Sequence, residues 1–155
     1  MMDGYHVAQL NVSRPKYDLS DPRFFDFFQY VNRVNAAADR SPGFVWRHID
    51  ADAEPGYASV FPYPDVIANL SVWETVADLE DFVFKTVHKR VLVRGGEWFS
   101  AKAAGHSVMW RVAKGQLPTF GEAAARLEHL NMHGASEFAF DWDHARQMNA
   151  NRQVI

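Results

Sequence analysis

The chain contains no cysteine among its 155 residues. Disulfide bonds, thiolate metal sites and cysteine nucleophiles are therefore excluded, and the composition fits a reducing compartment. The formal net charge is only −3, so nothing indicates a nucleic-acid partner. No stretch approaches the roughly 18 uninterrupted apolar residues of a membrane span, and the first ten residues do not have the layout of a signal peptide. We expect a cytoplasmic protein that binds neither membrane nor nucleic acid.

Aromatic residues are abundant, at 14% of the chain, and they include twelve Phe and five Trp. Apolar residues total 48%, which suits a single domain with a real hydrophobic core. An aromatic excess of this kind can serve a large core, a subunit interface or an apolar ligand pocket.

Alternation of apolar and polar residues predicts four strands. The clearest case is the first, in which Ala8, Leu10 and Val12 alternate with a more polar set of side chains. The strands are predicted at residues 6–13, 44–50, 65–73 and 106–112.

Helical spacing of apolar residues predicts three helices. Asp21 and Pro22 are typical of a helix start, as cap and first-turn residue. Thr75 and Asp78 resemble a capping box, and Gly134 is a typical helix end. The helices are predicted over residues 22–40, 75–99 and 118–134, with a break in the second at Gly95 and Gly96.

The order of the first six elements is strand, helix, strand, strand, helix, strand, which is the split βαβ layout of ferredoxin-like folds. We therefore expect an α+β fold with a four-stranded antiparallel sheet, two helices on one sheet face and an additional C-terminal helix. Residues 1–140 are predicted to form this single domain. Residues 141–155 are predicted to form a loose C-terminal tail.

The alternation separates two faces of the predicted sheet. One, the aliphatic face, suits packing against the two helices. It consists of Ala8, Leu10, Val12, Leu70, Val72, Val108, Trp110 and Val112. The other, the mixed face, is expected to be bare in a monomer. It consists of Gln9, Asn11, Ser13, Asn69, Ser71, Trp73, Met109 and Arg111, with Trp46 and His48 from the second strand.

Apolar walls with a few polar groups are typical of ligand pockets, so the mixed face is a candidate pocket. A solvated face with scattered tryptophans is the alternative. Two copies packed sheet against sheet would cover this face, which predicts a homodimeric α/β barrel with a cavity in each subunit. A dimer whose faces fill each other, leaving no cavity, stays open.

Several stretches across residues 6–140 resemble a known group of proteins. They are "AQLN", "RVNAAADRSPGFVWR", "NLSVWE", "LEDFVFKTVHKRVLVRGGEWF" and "PTFGEAAARLEHL". The resemblance is to a branch, known only as a domain of unknown function, of the dimeric α/β-barrel superfamily. That superfamily includes antibiotic-biosynthesis monooxygenases and heme-degrading monooxygenases.

In the heme-degrading enzymes a histidine late in the second long helix binds the iron, and the similar stretch "VFKTVHKRV" puts His88 in that role. The resemblance also implies a role for Asn11 on the first strand. A tryptophan found ten residues before the family's histidine is not kept, since Asp78 stands there and the nearest aromatic residue is Phe82. A structural histidine is the alternative for His88.

We expect a small-molecule enzyme that performs an oxidative, monooxygenase-like reaction on the mixed face, with heme as a cofactor held through His88. The alternative is a non-catalytic dimer that binds a small molecule or heme. The predicted catalytic residues are His88, Asn11 and Asn69. The predicted substrate-binding residues are Trp46, His48, Trp73, Phe84 and Arg111.

Two further groups have metal-ligand chemistry. His129 and His133 are four residues apart, a spacing that can chelate a metal on one helix face, but no acidic third ligand stands beside them. Asp141, Asp143 and His144 are a weaker candidate because they fall in the predicted loose tail.

Overall fold

A computed structural model describes residues 4–49, 66–85, 94–100 and 106–154, with the backbone only for 149–154. The strands and helices in these ranges follow the predicted order. They are β1 (Tyr5–Ser13), α1 (Phe25–Asp39), β2 (Phe44–Arg47), β3 (Ile67–Trp73), α2 (Val76–Lys85), β4 (Ser107–Ala113), α3 (Phe120–His133) and α4 (Trp142–Val154). No helix in the described ranges is long and apolar enough to cross a membrane.

The four strands form one antiparallel sheet in the order β2-β3-β1-β4. The central strand β1 pairs with β3, where Leu10 lies opposite Leu70, and with β4, where Ala8 lies opposite Trp110. The predicted α+β class and the antiparallel sheet are confirmed. This strand order is consistent with the ferredoxin-like layout.

Local capping interactions explain where the helices begin and end. A 3-10 turn over Pro22–Phe24 leads into α1, and the Asp21 carboxylate accepts a hydrogen bond from the backbone N–H of Arg23. The capping box of α2 is confirmed, because Thr75 Oγ1 accepts from the Asp78 backbone N–H at 3.0 Å and donates to its carboxylate at 2.9 Å. The Gly134 cap of α3 has a φ of 81°, which favours glycine.

The second predicted helical region is described in two parts. The first is α2, and the second is a short helical segment at residues 94–98. The predicted break at Gly95 and Gly96 is wrong, since both glycines lie within this segment. Residues 86–93 lie outside the described ranges.

Helices cover both faces of the sheet, and the predicted assignment of helices to faces is wrong. The aliphatic face packs against α3, through Phe120, Ala123 and Leu127. Helices α1 and α2 instead pack on the mixed face, through Ala38 and Leu79 among others. The alternation distinguishes the two faces correctly, but the more apolar face is covered by α3 and not by α1 and α2.

Two apolar clusters lie on the mixed face. The Trp73 cluster consists of Val7, Ala38, Trp73, Leu79, Phe82, Met109, Phe140 and Ala145. The Trp98 cluster consists of Phe24, Phe27 and Trp98, with Tyr17, Tyr30, Val31, Ile67 and Phe99 packed against it.

The predicted loose tail is also wrong, because residues from Trp142 to Val154 form α4. The Asp141 side chain accepts a hydrogen bond from the His144 backbone N–H at 2.9 Å, as a helix cap does. Ala145 is buried in the Trp73 cluster, and Trp142 packs against the same cluster. The short pattern that looked like a weak metal site is therefore in part a helix start.

Candidate functional site

Five polar residues, four from the mixed face as defined above and Ser107 beside them on β4, lie next to one another in the sheet and form what we call the polar patch. Asn11 of β1 lies opposite Asn69 of β3 on one side and opposite Ser107 of β4 on the other. Gln9 lies opposite Ser71. Directly opposed residues of antiparallel strands share a face, with Cβ atoms about 4.5–5.5 Å apart, so these side chains are neighbours.

A hydrogen-bond network orders part of the polar patch. The Gln9 side-chain amide donates to Asn69 Oδ1 and to Ser71 Oγ, each at 2.8 Å. The Trp73 indole N–H donates to the same Ser71 oxygen at 3.0 Å. Because the Ser71 oxygen accepts twice, its own hydroxyl hydrogen is directed away from both donors.

Asn11 stands outside this network. Its side-chain oxygen, Oδ1, is buried and has no hydrogen-bond partner in the described part of the chain. A buried polar atom in that state costs about 1–3 kcal/mol. Since most buried polar atoms in native proteins are paired, this carbonyl is a free acceptor that calls for an explanation.

Apolar walls flank the patch along the strands. Towards one end lie Val7 and Trp73, opposite each other, and the Trp73 ring stacks on Phe82 with 5.0 Å between centroids. Towards the other end Ile67 packs against the Trp98 cluster. A few polar groups between aromatic and aliphatic walls are the usual composition of a small-molecule site.

The patch itself contains amide and hydroxyl side chains and no ionisable group. Arg111, one of the predicted substrate-binding residues, lies opposite Val7 and forms an ion pair with Glu137 at 2.8 Å. The guanidinium is therefore already matched by a carboxylate. The patch can position a ligand by hydrogen bonding, but its own five side chains have no titratable proton to transfer.

Among the other predicted site residues, the structure brings Asn11, Asn69 and Trp73 together on the mixed face. Trp46 and His48 are not with them, so their predicted placement is wrong. Trp46 packs against the core of the aliphatic face, and the His48 ring lies 4.7 Å from that of Phe120.

An irregularity in β2 explains the misplacement of Trp46. Phe44 lies opposite Trp73, but Trp46 lies opposite Val72, so the pairing shifts by one residue between them. A bulge that adds one residue moves every later side chain to the other face. Trp46 consequently shares the aliphatic face with Val72.

The two remaining predicted residues belong to the second helical region. Phe84 is exposed on α2, and its ring meets that of Trp142 edge-on, with 5.3 Å between centroids. His88, the predicted iron ligand, lies outside the described residues.

Comparison with known proteins places this fold in a family. The model of a domain of unknown function, DUF3291, matches residues 6–154. The chain belongs to the DUF3291 family. The prediction of a domain of unknown function is thereby confirmed, and no curated protein matches the chain. A solved structure of a protein of unknown function from Nitrosomonas europaea is similar, with a TM-score of 0.47, 9% identity, and coverage of 74% of this chain and 96% of that one.

The DUF3291 chain also has a cleft of about 350 Å³ between the start of α1 and residues 94–98. Arg94 lines it and donates to both carboxylate oxygens of Glu97, at 2.7 and 2.9 Å, with its guanidinium 4.8 Å from the Trp98 ring centroid. This pairing raises the pKa of Arg94 and lowers the pKa of Glu97. A longer contact of 3.4 Å joins Arg94 to Asp26 of α1. The Arg94–Asp26 contact is therefore the ion pair that joins the two sides of the cleft.

The i, i+3 spacing of Arg94 and Glu97 is the sequence signal that points to this pair, which is not among the site residues predicted above. The predicted histidine pair is close together, since the rings of His129 and His133 lie 4.7 Å apart. No group of three or more metal-ligating His, Asp or Glu side chains occurs in the described ranges of this DUF3291 chain.

Proposed function

We propose that the polar patch binds a small, partly aromatic molecule. The observation that carries the proposal is the buried Asn11 Oδ1 atom, which has no partner in the described part of the chain. It stands beside side chains already ordered by hydrogen bonds, so a ligand would meet a preorganised surface. Preorganisation lowers the entropic cost of binding.

The position of Asn11 also supports a ligand site over a purely structural role. A leucine of similar size at this position would avoid the cost of an unpaired carbonyl. Residues that lower the stability of the fold in this way tend to occur at functional sites. Asn69, by contrast, is exposed and already accepts a hydrogen bond from Gln9.

Conversion of the bound molecule would require a reactive group beyond the patch. We propose His88 for that role, and an oxidative, monooxygenase-like reaction, on the strength of the resemblance to the dimeric α/β-barrel superfamily. A neutral imidazole can relay a proton or bind iron. Binding without conversion is the second candidate, and the absence of titratable groups from the five patch residues favours it.

Heme is the cofactor that the resemblance implies, and the proposed iron ligand is His88. When bound, heme would supply the iron chemistry that activates oxygen. In the described part of the chain, the Asn11 carbonyl fits any ligand that carries a hydrogen-bond donor and does not select heme over an organic substrate.

A hemin titration followed by absorption tests the cofactor. A Soret band that shifts in the wild type and is lost in His88→Ala supports heme binding, and no shift at saturating hemin rejects it.

Homodimerisation and a cytoplasmic location stay predictions. A barrel formed sheet against sheet needs an uncovered face, whereas the aliphatic face lies under α3 and the mixed face carries α1 and α2. A dimer would therefore use another surface or require α3 to move. Sedimentation equilibrium would give the stoichiometry directly.

The binding proposal is tested by blocking the patch. Asn69 is exposed, so Asn69→Trp should fold and place an indole over the patch, and the matched control is Asn32→Trp at an exposed position of α1. Neutral aromatic compounds that raise the Tm of the wild type and of the control should fail to raise the Tm of Asn69→Trp. A Tm increase that persists undiminished in Asn69→Trp would place the binding site elsewhere.

A further inference from the structure

We propose that His129 and His133 together bind one divalent transition-metal ion, with copper preferred, at the C-terminal end of α3. Both residues belong to α3, which packs on the aliphatic face, so the pair is separate from the polar patch. Metal binding here is therefore independent of the proposed function. The separation of the two rings, their exposure and the surrounding charges support the site.

The two imidazole rings have the separation that joint coordination of one ion requires. Residues four apart on a helix are surface neighbours, and the centroids of these rings lie 4.7 Å apart with 47° between their planes. A metal about 2.0–2.1 Å from an imidazole nitrogen lies about 3.2 Å from the ring centroid, so two rings coordinated at roughly 90–110° have centroids about 4.5–5.2 Å apart. The helix backbone need not change for both rings to bind the same ion.

An ion can reach both rings from solvent. His133 is exposed and His129 is half-buried. In the described part of the chain, the contacts that the two imidazoles make are ring contacts, with each other and with Phe138. Their nitrogens are therefore available to coordinate a metal, and water can complete its coordination shell.

An ordered neighbour restrains one of the two rings. The His129 ring meets Phe138 edge-on, with 4.7 Å between centroids. Phe138 is itself held by Arg126, whose guanidinium lies 4.0 Å from the ring centroid and donates to the Phe138 carbonyl at 2.8 Å. The charge of Arg126 is matched by Glu122 at 3.2 Å. A ligand ring that is already held in the fold loses less entropy on binding a metal.

The position of the pair in α3 favours a cation. His133 is the last residue of the helix, and Gly134 caps it. The carbonyl groups of the last turn form the negative end of the helix dipole, which attracts positive charge. A metal ion at the two histidines would lie beside this end.

The chemistry of the ligands decides which metal binds. Imidazole suits zinc, copper and nickel, and among divalent ions the affinity of such sites is highest for copper. No group of three or more metal-ligating His, Asp or Glu side chains occurs in the described ranges, so the two imidazoles are the protein ligands named here. Magnesium, which prefers oxygen ligands, should not bind.

Calorimetric titration of the full chain with copper(II), nickel(II) and zinc(II) tests the site. The wild type is compared with His133→Gln and with a double variant, His133→Gln with Asn131→His. The double variant keeps the number of histidines but spaces them two residues apart, so their side chains do not face each other. A third variant, His144→Gln, alters the histidine of the weaker metal candidate beside Asp141 and Asp143 and leaves α3 intact.

The wild type and His144→Gln should bind copper about tenfold or more tightly than the other two variants, because the second imidazole binds within the same molecule. Copper should also bind the wild type more tightly than nickel or zinc. Equal copper affinity in all four proteins, or a loss only in His144→Gln, would overturn the proposal, as would zinc binding more tightly than copper.

Electron paramagnetic resonance of the one-to-one copper complex gives a second readout that does not depend on affinity. The spectrum of the wild type should show coupling to two imidazole nitrogens, and that of His133→Gln to one at most. Coupling to a single nitrogen in the wild type would overturn joint coordination by His129 and His133.

Discussion

Replacing Asn11 with leucine should stabilise the protein. The substitution removes a buried carbonyl oxygen that has no partner in the described part of the chain, while nearly preserving the shape of the side chain. The unpaired atom costs about 1–3 kcal/mol, and this cost is recovered when the atom is removed. Because Asn11 is only half-buried, the added apolar surface contributes a fraction of the roughly 1.5–3 kcal/mol of a fully buried leucine. We expect the free energy of unfolding to rise by about 1–3 kcal/mol.

Urea denaturation followed by tryptophan fluorescence measures this change. The slope of the free energy against urea concentration should stay the same, and only the midpoint should rise. For a chain of 155 residues, each 1 kcal/mol corresponds to roughly 2–4 °C in Tm. The isosteric Asn11→Asp is the matched comparison, and it should destabilise the protein at neutral pH because it places a carboxylate among patch side chains that carry no positive charge.

A loss of more than about 1 kcal/mol in Asn11→Leu would refute the reasoning. It would mean that the Asn11 carbonyl has a partner in solution that contributes a normal hydrogen bond. The ligand proposal would then lose the observation on which it depends.

Two other predictions concern the fold. Gly43 has a φ of 81°, and a Cβ there would overlap the Asp78 carboxylate. Gly115 has a φ of 89° with no atom within 4 Å of a Cβ, so Gly115→Ala carries only the backbone cost of about 1–2 kcal/mol. Gly43→Ala should therefore lower the Tm more than Gly115→Ala, and equal losses of Tm would contradict this. Hydrogen bonds from Arg23 lower the pKa of Asp21 from 3.8 to about 2. The ionised form is thus favoured by folding, and this stabilisation is present above the unfolded pKa and is lost as pH falls towards 2. In Asp21→Asn the free energy of unfolding should vary less with pH in that window. An unchanged dependence on pH would contradict the stabilising role of the Asp21–Arg23 pair.

The elements that depend on neighbouring residues could be predicted from the sequence. The alternation in β1 and the caps at Asp21 and Thr75 act within a few residues, and the structure has them where the pattern indicates. The adjacency of Asn11 and Asn69 could also be predicted, because both belong to the same period-two set once their strands pair.

The features that depend on long-range packing could not be predicted. Alternation separates two faces of a sheet, but it does not say which helix covers each, and α3 covers the face assigned to the other helices. The shift between Phe44 and Trp46 depends on the pairing of β2 with β3, so it leaves no clear mark in the sequence of β2 itself. The engagement of Arg111 by Glu137 follows from how the segment after α3 returns to the sheet, where Phe140 pairs with Met109.

A crystal structure of the protein soaked with phenol tests the central claim most directly. The polar patch account predicts a ring over the sheet between the Trp73 and Trp98 clusters, with its hydroxyl oxygen about 2.7–3.0 Å from Asn11 Oδ1. Phenol bound in the cleft beside Arg94, with the patch vacant, would contradict it.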